Sequence, residues 1–342
     1  MNKKNFSLLV KILVSLAILY FLFYRFGFSF ESFQKTIANI DYAVYFLSFF
    51  GVIIVLGIKS FRWQMLVKNE GFDYKPYRAF GAYMSSDAIG IVTPGRIGEI
   101  ARLYYVRQET PIPFFEAFKT LVADRIFDFT MLGWFGLSGL TYYFKTLGDI
   151  PGIAYVVIVL VLLLLAYLIG LSILGWMSRQ HWALRWQLPL FLYECLKSVI
   201  GPRSLQMWGL TLLAYLGYFF FSWLIMHSLE VKPGLVDVAF IMSIMSLSTI
   251  IPISVAGFGT REATLVLLFS VYSLPSETAV TFSLLHFTAF FLWGGIIGLF
   301  YWLSMPISLK QVKEDSIHIF ELVKVRKSES GNEQKPKGSN QD

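Results

Sequence analysis

Two short runs in this sequence put a guanidinium and a carboxylate beside a pair of glycines, each following a long stretch nearly free of charge. The first is Pro94-Gly95-Arg96-Ile97-Gly98-Glu99 with Arg102 following; the second is Ala256-Gly257-Phe258-Gly259-Thr260-Arg261-Glu262. Arginine offers a planar fork of donors that matches phosphate oxygens. A chain break at glycine also frees the N–H groups of the next helical turn, where the helix dipole favours an anion. The spacing puts Glu99 and Arg102 on one helical face. Such a set suits anion recognition, with phosphate foremost. The competing reading is structural: Arg96 pairs with Glu262, and Arg261 with Glu99, tying the two runs together.

A second set lies in the apolar segment 114–143, which holds Lys119, Asp124, Arg125 and Asp128. Asp124 and Asp128 share a helical face, and a rise of about 1.5 Å per residue from Phe114 puts both near the middle of such a segment. Acids there must face a bundle interior within reach of Arg96, Arg125 or Arg261, with Arg96 and Arg261 foremost. His286 suits a proton relay or, more simply, a hydrogen-bonded packing role. Asp87, beside Ser85 and Ser86, suits a ligand contact or a helix cap. Arg62-Trp63 reads as an interfacial anchor, and Trp182 to Ile200 as a surface-lying basic and aromatic segment. No Cys/His metal spacing, phosphate-cradling glycine loop or nucleophile elbow occurs, so no metal, cofactor or catalytic residue is expected.

The elements that must position these residues are membrane helices. With 56% hydrophobic and only 15% charged residues, the chain is too apolar for a soluble domain. Six segments are long enough to cross a bilayer: 5–24, 42–61, 114–143, 152–177, 204–229 and 277–305. Taking the N-terminus as cytoplasmic, the inside segments hold nineteen Lys and Arg, Lys59 and Arg62 among them, against four outside. That bias puts both termini in the cytoplasm. The net charge of +7 then faces anionic lipid rather than nucleic acid. The single cysteine, Cys195, excludes an intramolecular disulfide.

Residues 79–92 and 236–251 are too short to cross and run into the two glycine breaks, so each reads as one arm of a re-entrant helical hairpin. Broken backbone at membrane depth is tolerated where it lines a protein interior or a wet cavity. The fold expected is thus an all-α polytopic membrane protein with about six full spans and two re-entrant hairpins. It divides into inverted halves, 1–145 and 152–305, within a membrane domain 1–309 followed by a polar tail 310–342. Interrupted segments in matching positions of two halves mark a transporter site.

Taken in order, Arg62-Trp63, Pro94-Gly95-Arg96-Ile97-Gly98-Glu99 with Arg102, Asp124-Arg125-Ile126-Phe127-Asp128 and Gly257-Phe258-Gly259-Thr260-Arg261-Glu262-Ala263 resemble the pattern of the lysylphosphatidylglycerol synthase transmembrane-region family. That family includes the flippase half of the bacterial multiple peptide resistance factor. The resemblance implies a flippase-like domain of the cytoplasmic membrane that moves a phospholipid or polyprenyl-phosphate-linked lipid. It also implies headgroup contacts from Arg96, Glu99, Arg102, Asp124, Arg125, Asp128, Arg261 and Glu262 around the hairpin glycines Gly95, Gly98, Gly257 and Gly259. A soluble aminoacyl-transferase domain of the two-part factor has no counterpart in this sequence, so lipid aminoacylation is not expected, and a separate lipid-modifying enzyme is a natural partner. Two other classes stand beside this reading: a membrane-embedded headgroup or glycosyl transferase using Asp124 and Asp128, and a scaffold in envelope assembly.

Overall fold

The computed structural model describes residues 29–144, 152–179, 187–201, 203–249 and 259–305. The expected first span 5–24, the glycine break at Gly257 and the tail 310–342 lie outside these residues. The described chain is helical, with no strand among the described residues. Its elements are α1 (Phe30–Ala38), α2 (Tyr42–Asn69, interrupted at Ser48), α3 (Pro76–Val92), a 3-10 turn (Pro94–Ile100), α4 (Ala101–Glu109), α5 (Phe114–Tyr143), α6 (Gly152–Ser178), α7 (Gln187–Ile200), α8 (Ser204–Ser228), α9 (Leu235–Ser248), α10 (Thr260–Val271) and α11 (Ser276–Ser304, π-helical at Phe287–Leu292).

Among the described residues, four helices are long and apolar enough to cross a membrane: α2, α8, α11 and Ala154–Ser178 of α6. At 30 residues α5 is longer still, but its ionisable residues set it apart. In α6 the side chains are apolar on every face and mostly exposed, as suits a helix surrounded by lipid. By contrast α5 buries Asp124 and Asp128 among its neighbours, because a carboxylate facing lipid would cost several kcal/mol by an order-of-magnitude reckoning.

Helices α3 and α4 fold back on one another about the 3-10 turn, and α9 and α10 pack against each other. The expected short arms are therefore present as helices, each packed against the helix that follows it. Their packing is exchanged between the two parts of the chain. Arm α3 lies along the C-terminal half of α11, arm α9 lies along α5, and α2 lies along α8. Swapping the set α2, α3, α5 for α8, α9, α11 maps each of these interfaces onto another or onto itself. Small residues permit the approach: a Cβ at Gly298 of α11 would strike Met84 and Ala88 of α3, and one at Gly139 of α5 would meet Phe240 of α9 at 2.6 Å.

Amphipathic α7 turns Phe191, Cys195 and Val199 inward against α5 and α6. The predicted surface-lying segment is thus a helix docked by one face, with its residues 182–186 outside the described structure.

Candidate functional site

The middle of α5 meets α2, α3, α4 and α8 in a network of charged side chains centred on Asp124. Arg62 of α2 is wholly buried. Its Nε and Nη2 donate to Asp124 Oδ1 at 3.0 and 2.6 Å, its Nη2 also to Asp128 Oδ1 at 3.0 Å, and its Nη1 to the Thr211 hydroxyl at 2.7 Å. On the other side Asp124 Oδ2 accepts from Arg102 Nη1 at 3.0 Å, Arg125 Nη2 at 2.8 Å and the Tyr83 hydroxyl at 3.2 Å. Glu99 accepts from Arg102 at 2.7 Å and pairs with Arg125 at 3.2 Å. Asp128 is held by Arg125 at 3.2 Å and by Lys59 Nζ at 3.2 Å, and Lys59 also reaches the Tyr215 hydroxyl at 3.3 Å. The Arg102 guanidinium lies over the Tyr83 ring, 4.2 Å from its centroid.

The network opens at the first hairpin break. Arg96 sits in the left-handed region at φ 55°, a conformation uncommon for a side-chain-bearing residue and frequent at functional sites. It pairs with Asp87, and with Glu99 at 2.7 Å, yet its side chain remains 45% exposed. Gly98 is required here by close approach, since a Cβ would stand 2.6 Å from the Ile89 carbonyl of α3. Two of the turn's N–H groups are already taken: Arg96 N–H donates to the Thr93 carbonyl and Gly98 N–H to the Thr93 hydroxyl at 2.8 Å. The attraction for an anion at this break therefore comes largely from side-chain charge.

Among the described residues, five cations (Lys59, Arg62, Arg96, Arg102, Arg125) face four carboxylates (Asp87, Glu99, Asp124, Asp128), leaving one positive charge in excess. Arg125 also carries a buried Nε–H without an acceptor among the described residues. An orphan buried donor is costly, and one oxygen of a bound anion would satisfy it.

Six of the eight expected site residues therefore come together, but the other two do not join them. Arg261 donates to Glu262 Oε1 from Nε at 3.1 Å and from Nη2 at 2.6 Å, Ser283 bridges both, and Glu262 Oε2 takes the Gly259 N–H at 2.6 Å. Gly259 supplies the positive φ of 91° at this break. Each hairpin thus neutralises its own Arg and Glu locally, and the expected cross-pairs Arg96–Glu262 and Arg261–Glu99 do not form. Of the partners expected for Asp124 and Asp128, Arg125 is in place at both, whereas Arg62, Arg102 and Lys59 stand where Arg96 and Arg261 were expected. Aromatic rings of α8 and α11 lie between the two clusters: Tyr215 against Tyr218 at 6.2 Å, Tyr218 against His286 at 5.6 Å, and Phe287 under Arg261 at 5.0 Å. His286 is fully buried in this stack, but neither ring nitrogen has a hydrogen-bond partner among the described residues. The expectation of a hydrogen-bonded histidine is corrected accordingly.

Arg62-Trp63 is no interfacial anchor: both side chains are fully buried. Lys59 and Arg62 belong to the network rather than to a cytoplasmic loop. The signal was their spacing of three on one helix. It was masked because the apolar run stops near residue 61, whereas the helix continues to Asn69. Removing both from the inside tally leaves seventeen against four.

The family model described as lysylphosphatidylglycerol synthase TM region matches residues 8–298. The UPF0104 membrane protein MJ1595 of Methanocaldococcus jannaschii is 24% identical over 308 residues, covering 83% of this chain and 89% of that protein. No solved structure matches.

Proposed function

The chain belongs to the lysylphosphatidylglycerol synthase TM region family, and from that premise we propose that this multi-pass membrane protein is a lipid flippase whose headgroup site is the Asp124-centred network. The cargo class is a phospholipid or polyprenyl-phosphate-linked lipid, moved across the cytoplasmic membrane with both termini inside. The observation that carries this reading is the excess positive charge beside the exposed Arg96 and the orphan Nε–H of Arg125. A phosphodiester supplies one negative charge and several acceptor oxygens, and both deficits are met by one ligand. Among the described residues, Arg96 engages the protein through Nε and Nη2, so further donors of its fork remain for a phosphate.

The exchanged packing of the two hairpins supports two inverted halves, 1–145 and 152–305, which alternate access by rocking about the α2–α8 contact. In this reading the headgroup passes the hairpin tips while the acyl chains stay in lipid. A transferase reading is less well supported. Asp124 accepts five donor contacts, while a carboxylate offers about four lone-pair sites, which leaves it no capacity to act as a general base.

Reconstitution with fluorescent phosphatidylglycerol and an impermeant quencher tests the proposal. Wild type should move lipid between leaflets. Arg96→Lys, which keeps the charge and loses the fork, should slow transport by about tenfold or more, equivalent to one charge-assisted hydrogen bond of about 1.5–3 kcal/mol. Unimpaired transport by folded Arg96→Ala would remove Arg96 from the site, and failure of wild type to move any anionic lipid would overturn the flippase reading.

A further inference from the structure

We infer that Lys59 is the group that couples headgroup binding to a proton, so that one proton and one phosphodiester anion enter and leave the site together. The inference rests on the headgroup reading of the network. Four of its five cations are arginines, whose guanidinium stays protonated in proteins; the ammonium of Lys59 is the one cation that can release a proton.

The surroundings suit that exchange. Lys59 lies 14% exposed at the edge of the network, whereas the Arg62 side chain is sealed. From α5 it faces Asp128 at 3.2 Å, with Asp124 and Arg125 one step further along the network. From α8 it faces the Tyr215 hydroxyl at 3.3 Å, with its ammonium 4.4 Å from the Tyr215 ring centroid. Arg62 shares its helix and pairs with the same Asp128 at 3.0 Å. On α3 the nearest ionisable groups of the network are Tyr83 and Asp87, which engage Asp124, Arg125 and Arg96. The C-terminal part of α11 (Trp293–Ser304) adds no acid or base apart from the Tyr301 phenol.

Loss of the ammonium leaves no orphan. Asp128 keeps Arg62 and Arg125 at 3.0 and 3.2 Å. The Tyr215 hydroxyl, an acceptor for the ammonium, becomes a donor to the lone pair of the neutral amine. The proton goes to water, and the electron pair stays on Nζ.

The charge balance sets the stoichiometry. With Lys59 protonated and one phosphodiester bound, the network sums to zero; with Lys59 neutral and the site empty, it again sums to zero. Both states avoid a net charge within the membrane, and a proton gradient becomes available to drive the lipid.

The test measures binding of phosphatidylglycerol to the full-length protein in detergent from about pH 6 to about pH 10, across which a phosphodiester keeps a single charge. Deacylated glycerophosphoglycerol serves as the soluble counterpart, and phosphatidylcholine as the zwitterionic control. For wild type, Kd should rise by up to about tenfold per pH unit as Lys59 deprotonates, with about one proton taken up per anion bound in weak buffer. Lys59→Arg should bind equally well at every pH, and Lys59→Met weakly at every pH. A slope with both probes assigns the coupling to the phosphodiester itself, and a slope with the lipid alone assigns it to the acylated form; both sustain the inference. A flat wild-type profile with intact binding, or a slope that persists in Lys59→Arg, would overturn it while leaving the headgroup site standing. Absence of anionic-lipid binding at every pH would overturn both readings.

Discussion

Replacing Arg62 by Met is the most direct test of whether the charged network exists as a unit. The side chain makes three hydrogen bonds to the carboxylates of Asp124 and Asp128, one to the Asp124 carbonyl and one to Thr211, all out of contact with water. Breaking a buried ion pair by removing one partner costs about 3–5 kcal/mol. The lower end applies here, because Asp124 retains Arg102 and Arg125, and Asp128 retains Lys59 and Arg125. Asp124→Asn alone should cost a similar amount, since it raises the excess charge from one to two. Combining the two changes restores the original excess, so the double variant should be more stable than the sum of the singles implies by about 1–3 kcal/mol.

The assay is provided by the chain itself. Cys195 is its one cysteine and is fully buried, and burial pushes the thiol up to about 12. A maleimide dye therefore labels it only on unfolding, which can be followed in micelles titrated with dodecyl sulfate. An interfacial anchor would lose no more than about 0.5 kcal/mol on the same substitution. That small loss, or a double variant additive within about 0.5 kcal/mol, would refute the network.

Three further outcomes follow from the same structure. Gly98→Ala should destabilise by about 1–3 kcal/mol through the clash with Ile89, whereas Gly209→Ala, with open space around it, should gain up to about 1 kcal/mol of helix propensity; equal effects would remove the close-packed hairpin. His286→Phe should raise stability by about 1 kcal/mol or more, because a ring with two orphan nitrogens is exchanged for one suited to the stack with Phe290; loss of transport in a well-folded His286→Phe protein would instead make the imidazole a relay. In a Cys195→Ser background, new cysteines at Lys75 and Gln108 should label from the cytoplasm and those at Lys232 and Ser276 from outside; labelling from opposite sides within either pair would exclude re-entrant hairpins.

Much of this arrangement was legible in the sequence because lipid punishes charge. Arg96, Glu99, Arg102, Asp124, Arg125 and Asp128 stood out against apolar surroundings, and all six meet. The ends of α5, α6 and α8 fall within a residue or so of the hydropathy boundaries, since length and apolarity fix a spanning helix. What escaped was set by helix continuity and three-dimensional choice. Lys59 and Arg62 lie where the apolar run fades but hydrogen bonding does not. Tyr83, Thr211 and Tyr215 are ordinary residues until a guanidinium or ammonium is placed beside them. The partner of a given Asp among several nearby Arg depends on which helices touch, and α3 against α11 is a contact between remote parts of the chain. Arg261 and Glu262 resembled Arg96 and Glu99 in lying beside a pair of glycines, yet a buried serine and a backbone N–H complete their pairing locally.

The order of charges along the chain also bears on how the protein is made. Arg62 precedes its carboxylate partner Asp124 by 62 residues, an interval of roughly 3–12 s at about 5–20 residues per second of synthesis. During that time α2 holds Lys59 and Arg62 with their α5 carboxylates still unmade, and then α5 must enter the bilayer carrying acids that would resist insertion alone. The pairing of Arg62 with Asp124 offsets the charge of those acids, so the cost of holding α5 in the bilayer falls only once α2 is beside it.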